Sequence, residues 1–337
     1  MKATTLFIAL LTVTEAADIV PSTGTTALRE EAQKKNVLIG SGAINPTYLD
    51  DPRFAFVLAE QFNSLSPENK LKWNFINPTP GQYDWDKIDR LVDFAEENNM
   101  KVKGHGFISG CCNPDYLLNI TDATEVRTAM KTHFEAVMHR YDGKMDRWDV
   151  VSEALETQGG GLQVNNFFYK TLGPGYIADA FRIAREAGPD AKLYLNENMV
   201  ESNSGKRQEL YDLVSGLVRD GVPIDGIALQ MHVTLEPLVP GVITEMVDFF
   251  KGLELEVTIA ELDVHTYNAT QQTEIYGAVI EEALASGITD ISFWGFTDKH
   301  LYTWLPGAKP LMFDEDYSAK GAFYATHTAL TNFVNAP

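Results

Sequence analysis

The chain is predicted to fold as a single α/β domain, a (β/α)8 TIM barrel, and three observations lead there. Strand-like apolar runs alternate with helix-like amphipathic runs eight times along the 337 residues. No linker, low-complexity stretch or composition break divides them. Two glutamates, Glu153 and Glu261, each follow an apolar β-run, and a carboxyl at the carboxyl end of a parallel strand is aimed into the mouth of a barrel.

The strands are expected at residues 37–39, 62–65, 101–104, 148–151, 193–195, 226–229, 257–260 and 291–294. Helical spacing of apolar residues predicts helices over 85–98, 124–141, 177–187, 206–220, 243–253, 271–286 and 319–333. The first of these carries Ile88, Leu91, Val92 and Phe94 on one face. A doubly wound sheet is the alternative, but no glycine-rich phosphate turn follows the first strand.

Residues 1–17 read as a secretory signal. Lys2 precedes a short apolar run, and the small residues Ala16 and Ala17 suit cleavage. Residues 18–337 are then the catalytic barrel of a secreted, extracellular protein. The apolar run is too short to span a bilayer, and no later stretch reaches that length. The sequons at Asn119 and Asn268 become candidate glycosylation sites. The only cysteines, Cys111 and Cys112, are adjacent, which rules out a disulfide scaffold. Two buried thiols are the expected state, with a strained vicinal disulfide as the alternative.

With 47 acidic against 27 basic residues the formal net charge is −20. Such a surface repels phosphate backbones, which argues against a nucleic-acid partner. The acidity favours a neutral or basic partner, and a monomeric state with no membrane, metal or cofactor is expected. The chain has no His-x-x-x-His or Cys-x-x-Cys spacing and no Gly-x-Ser-x-Gly elbow.

Chemistry-bearing residues gather where the strands end. Glu68, Asn69 and Lys72 follow the second strand and His105 the third. Ser152 and Glu153 end the fourth; Asn196 follows the fifth; Gln230 and His232 follow the sixth. Glu261 and Asp263 end the seventh, and Trp294 ends the eighth, with Asp298 and Trp304 beyond. Hydrogen-bonding groups read sugar hydroxyls and indole faces cover ring C–H groups. Two carboxyls from distant strands supply what glycosidic bond hydrolysis needs, a proton donor and a nucleophile or base. Each residue also has a plainer role available: a core histidine, a barrel-capping tryptophan, a Glu68–Lys72 surface pair, or an Asp263 that only orients a neighbour.

These segments resemble glycoside hydrolase family 10, best known for endo-β-1,4-xylanases, from about residue 60 to 325. Residues 66–73 (Ser-Pro-Glu-Asn-Lys-Leu-Lys-Trp) are similar to the family's Thr-Pro-Glu-Asn-x-x-Lys-Trp segment. Lys103-Gly104-His105 resembles Arg-Gly-His, and residues 148–153 (Trp-Asp-Val-Val-Ser-Glu) resemble the acid/base strand. Gln230-Met231-His232, Ala260-Glu261-Leu262-Asp263 and the Trp-Gly-x-x-Asp of residues 294–298 complete the set.

The resemblance implies a retaining mechanism, with Glu153 as acid/base and Glu261 as nucleophile, their carboxyls about 5–5.5 Å apart. It further implies that His232 supports the charge of Glu261. Glu68, Asn69 and Lys72 would bind the glycone side, and His105, Gln230, Trp294 and Trp304 would surround the reacting sugar. Ser109 and Cys112 stand where the family has tryptophan and glutamine, Ser152 replaces an asparagine, and residues 300–303 read as an insertion before Trp304. The departures spare both glutamates and are similar to the divergent branch of fungal tomatinases, which cleave the sugar chain from steroidal glycoalkaloids such as α-tomatine. Phe107, Tyr302 or Phe167-Phe168 would meet the apolar aglycone. Xylan is the alternative substrate. A catalytically inactive carbohydrate-binding or decoy protein is the alternative of another class, and retention of both glutamates argues against it.

Overall fold

The computed structural model describes residues 20–336; the signal reading for residues 1–17 lies outside them. The strands are β1 (Leu38–Ile44), β2 (Ser64–Pro67), β3 (Lys101–Ile108), β4 (Met145–Ser152), β5 (Lys192–Glu197), β6 (Gly226–Leu229), β7 (His232–Thr234), β8 (Glu256–His265) and β9 (Asp290–Phe293). All pairings between them are parallel. The sheet closes because β1 pairs with β9 through Gly40 and Ser292, and β6 pairs with β8 through Ala228 and Thr258. Closure makes a barrel of eight staves and excludes the doubly wound alternative.

The sixth stave is split. β6 stops at Leu229, Met231 takes a left-handed backbone (φ 65°), and the chain resumes as β7 with His232 opposite Asp263. Helices cover the barrel, so the strands are buried on both faces and read as continuous apolar runs. The predicted helices 124–141 and 271–286 are observed as Ala123–Arg140 and Ala269–Ala285. Their starts are fixed by the Asp122 and Asn268 side chains, which accept from the first-turn N–H groups. The second strand lies two residues later than predicted, at Ser64–Pro67.

One glycine lets the barrel close tightly. A Cβ at Gly104 would lie 2.0 Å from the Trp148 ring, so only glycine lets that indole lie across β3. Trp148 then stacks on Phe107 at 4.9 Å, and Phe107 on Phe134 of helix Ala123–Arg140 at 4.2 Å. Phe107 is therefore core and does not face an aglycone. Gly106 (φ 92°) interrupts the alternation of β3, so His105 faces inward while Phe107 turns outward. Phe168 is likewise fully buried, stacked on Trp73. Of the proposed aglycone contacts, Tyr302 is exposed. The cysteines are free thiols as expected, but the expected burial is not observed: Cys111 is exposed and Cys112 half-buried. Burial and the neighbouring Cys111 push the Cys112 thiol up to about 11.

Candidate active site

The two glutamates stand at the carboxyl ends of β4 and β8. Glu153 leaves β4 in a left-handed conformation (φ 57°), held by its N–H donating to the Asn196 carbonyl at 2.9 Å. A non-glycine residue stays there only when its surroundings enforce it. The turn lifts the Glu153 side chain, half-buried, to the barrel mouth. Glu261 is buried and lies within β8.

Two amides join them. Asn196 donates through Nδ2 to Glu261 Oε1 at 2.9 Å and to Asp149 Oδ2 at 3.2 Å. Gln230 donates through Nε2 to Asn196 Oδ1 at 2.8 Å and to Glu153 Oε1 at 3.1 Å. All four amide hydrogens are committed, so the orientation of each amide is fixed. Gln230 can reach inward because the sixth stave breaks beside it.

Glu261 also has histidine on two sides. His232 Nε2 lies 3.3 Å from Oε2 and His105 Nδ1 lies 4.0 Å from Oε1. Burial pushes the Glu261 carboxyl up, but His232, His105 and Asn196 outweigh it and hold the group below the ordinary carboxylate range. His232 is itself oriented by Asp263, whose Oδ1 accepts Nδ1 at 2.8 Å. Burial disfavours the His232 cation, yet Asp263 and Glu261 prevail and raise it well above 6.5. His105 donates through Nδ1 to Asp149 Oδ2 at 3.0 Å, and Asp149 is paired with Lys103 at 2.8 Å. Burial opposes the Asp149 charge, but Lys103 and His105 outweigh it and hold the carboxyl below its ordinary range. Glu261 is thus enclosed by donors, whereas Glu153 accepts from one side chain.

The flanks follow. Glu68 is buried just beyond β2, where it accepts from Asn69 at 3.0 Å and from Asn45 at 3.2 Å, so it is not a surface partner of Lys72. Lys72 crosses Gly106, where a Cβ would meet Lys72 Cγ at 2.7 Å. Trp294 sits edge-on to His105 at 5.4 Å and occupies room left by Gly42. Trp304 is 53% exposed and stands edge-on to His232 at 5.3 Å. The Ser152 hydroxyl is buried beside Glu153 without a hydrogen-bond partner. Asp298, by contrast, is engaged with Lys320 and the Leu311 N–H and serves the loop beyond β9.

Sequence reasoning missed Asn45, Asp149 and His265. Asp149 lies two residues after the inward-facing Arg147 on β4, a strand read only as apolar. Alternation of side chains along β4 was the available signal. Asn45 lies just past β1, where it caps the short helix Pro46–Asp50, and no sequence pattern marks it. Asn119 and Asn268 are both exposed; Asn268 caps its helix through Oδ1 while its Nδ2 makes no bond in the cap.

This arrangement provides a charged carboxylate and a second carboxyl across one cleft, as acid-assisted displacement at an acetal carbon requires. Two clusters, His232/Asp263/His265 and His105/Asp149/Glu261, have metal-ligand types, and none of the expected chemistry needs an ion.

Residues 27–329 match the model of "Glycosyl hydrolase family 10". Endo-1,4-beta-xylanase B of Thermotoga neapolitana is 33% identical over 314 residues, covering 88% of this chain and 90% of that protein. Endo-1,4-beta-xylanase 3 of Hypocrea jecorina is 31% identical over 318 residues, covering 91% and 86%. The crystal structure of xylanase 10B from Thermotoga petrophila in complex with xylobiose superposes with a TM-score of 0.86 at 34% identity, covering 94% of this chain and all of that one (100%). The chain belongs to glycosyl hydrolase family 10 and is an O-glycosyl hydrolase.

Proposed function

We propose that the protein is a secreted, retaining endo-β-glycosidase whose first substrate is β-1,4-linked xylan. Glu261 attacks the anomeric carbon as the C–O bond breaks, and Glu153 protonates the departing oxygen. Glu153 then deprotonates the water that releases the sugar. The observation that carries this reading is the amide relay from Glu261 through Asn196 and Gln230 to Glu153. It fixes two carboxyls from different strands relative to each other, in environments of unequal donor supply. His105, Trp294, Trp304 and Gln230 line the reacting sugar; Glu68, Asn69 and Lys72 hold the glycone side. The names of the xylanase relatives support xylan over the steroidal glycoalkaloid expected from the sequence departures.

The glycoalkaloid reading keeps one specific support. The glycone rim after β3 carries Ser109, exposed Cys111 and half-buried Cys112, and the exposed Tyr302 offers an apolar contact. Product analysis on both substrates decides. Xylo-oligosaccharides released from xylan with α-tomatine untouched support the first reading. A free oligosaccharide and aglycone from α-tomatine, with xylan intact, reverse the ranking. Activity on neither, unchanged by Glu261→Ala, favours a binding protein. Secretion, cleavage near Ala16 or Ala17, glycans on Asn119 and Asn268 and a monomeric state belong to the same proposal. Recovery of the mature protein from medium, N-terminal sequencing, mass before and after deglycosylation and light scattering test them.

A further inference from the structure

Strand β8 turns three polar side chains to one face at successive alternate positions: Glu261, Asp263 and His265. The first two belong to the proposed machinery. The third is fully buried (0% exposed) and stands behind them. His265 Nε2 lies 2.9 Å from Asp263 Oδ1, the same oxygen that receives His232 Nδ1 at 2.8 Å. Asp263 Oδ2 has no hydrogen-bond partner, so that carboxylate sits by the His232 hydrogen bond and the close His265 contact at its other oxygen. On its other side His265 Nδ1 meets Thr303 Oγ1 at 2.9 Å, and Trp304 lies over the ring at 3.9 Å between centroids. The Trp304 indole N–H donates to Thr234 Oγ1 of β7 at 3.0 Å.

We propose that His265 is a positioning residue: wedged between Asp263 and Trp304, it fixes the carboxylate that aims His232 at Glu261 and ties that relay to the aromatic wall of the cleft. The inference rests on Glu261 being the nucleophile. The ring nitrogen and the carboxylate oxygen meet at 2.9 Å as a close buried contact, although Nε2 makes no aligned hydrogen bond. Thr303 closes the other end, its hydroxyl also bonding the backbone of Leu305. The insertion before Trp304 thereby anchors to the strand that bears the nucleophile. Movement of Trp304 on sugar binding reaches Asp263 through one rigid ring, without a chain of flexible side chains. The groups facing His232 are Glu261, Asp263 and, more distantly, Glu201, with Lys206 and Glu197 behind it; those facing His265 are Asp263, Thr303 and Trp304.

The test uses the full-length secreted enzyme, with the better cleaved of an aryl β-xylobioside and α-tomatine. His265→Ala is expected to lower the rate of the first, nucleophile-dependent step by about tenfold or more, and to shift the acidic limb of its pH profile. His265→Gln keeps an N–H donor near Nε2 and should recover much of the rate. Thr303→Val reports the same coupling if the alanine variant folds poorly. A His265→Ala enzyme with parental kcat and pH profile, altered only in melting temperature, overturns the proposal. Inhibition of the parent by EDTA, reversed by zinc, also overturns it, because the cluster would then be a metal site. A parent whose turnover survives Glu261→Ala removes the functional reading as well, which separates the two failures.

Discussion

Asn196 Nδ2 stands 2.9 Å from Glu261 Oε1, a direct hydrogen bond from β5 to the buried carboxylate of β8. The contact is charge-assisted and reaches past β6, which lies between the two strands, so it both anchors and stabilises the charge of the Glu261 carboxylate.

Asn196→Ala removes that donor and frees Gln230. A hydrogen bond to a charged group contributes about 1.5–3 kcal/mol, so kcat should fall by roughly tenfold to a hundredfold. Steady-state kinetics check it. Asn196→Asp should be worse, because it places a second acid against Glu261 and Asp149.

The pH dependence has a defined sign. Glu261 and Asp149 are depressed in the folded protein, so their contribution to stability is full above the ordinary values of 4.5 and 3.8 and is lost as pH falls through the depressed values. His232 is raised, so its contribution is full below 6.5 and is lost as pH rises through the raised value. Melting temperature against pH should therefore fall on both sides of a plateau, and His232→Gln should flatten the alkaline side selectively. The acid limb of activity should lie below the ordinary glutamate range, because Glu261 stays ionised there.

Next to Asn196 at the carboxyl end of β5, Glu197 forms an ion pair with Lys206 at 2.8 Å, both side chains fully buried. Burial raises Glu197 and Lys206 only partly restores it. Lys206→Met should destabilise the protein by about 3–5 kcal/mol, since an uncompensated carboxylate remains. Adding Glu197→Gln should recover part of that loss in urea unfolding.

Gly106→Ala tests the glycone side. Its φ of 92° disfavours any side chain, and the new Cβ would meet Lys72 Cγ at 2.7 Å. Displacing Lys72 should raise KM severalfold with a smaller change in kcat, alongside a stability loss of about 1 kcal/mol or more. Kinetics and thermal melting separate the two effects.

The barrel and most of its elements are legible in the chain, because strands buried on both faces leave continuous apolar runs between amphipathic helices. Glu153, Glu261, His232 and Gln230 are legible because they end those runs. What is not legible depends on positive φ and on distance. Gly106 reverses the alternation of β3 and sends Phe107 into the core, and Met231 splits the sixth stave to bring Gln230 inward. No local pattern announces that His265 reaches Thr303, 38 residues along the chain, and its neighbour Trp304, or that Lys206 is swallowed beside Glu197.

The most direct test is capture of the glycosyl-enzyme. A 2-deoxy-2-fluoro-xylobioside with an activated leaving group should inactivate the enzyme, and peptide mass spectrometry should place one fluorosugar on Glu261, with Glu261→Ala unlabelled. A label on another residue, or turnover without inactivation while xylan is cleaved with inversion, would contradict Glu261 as the nucleophile.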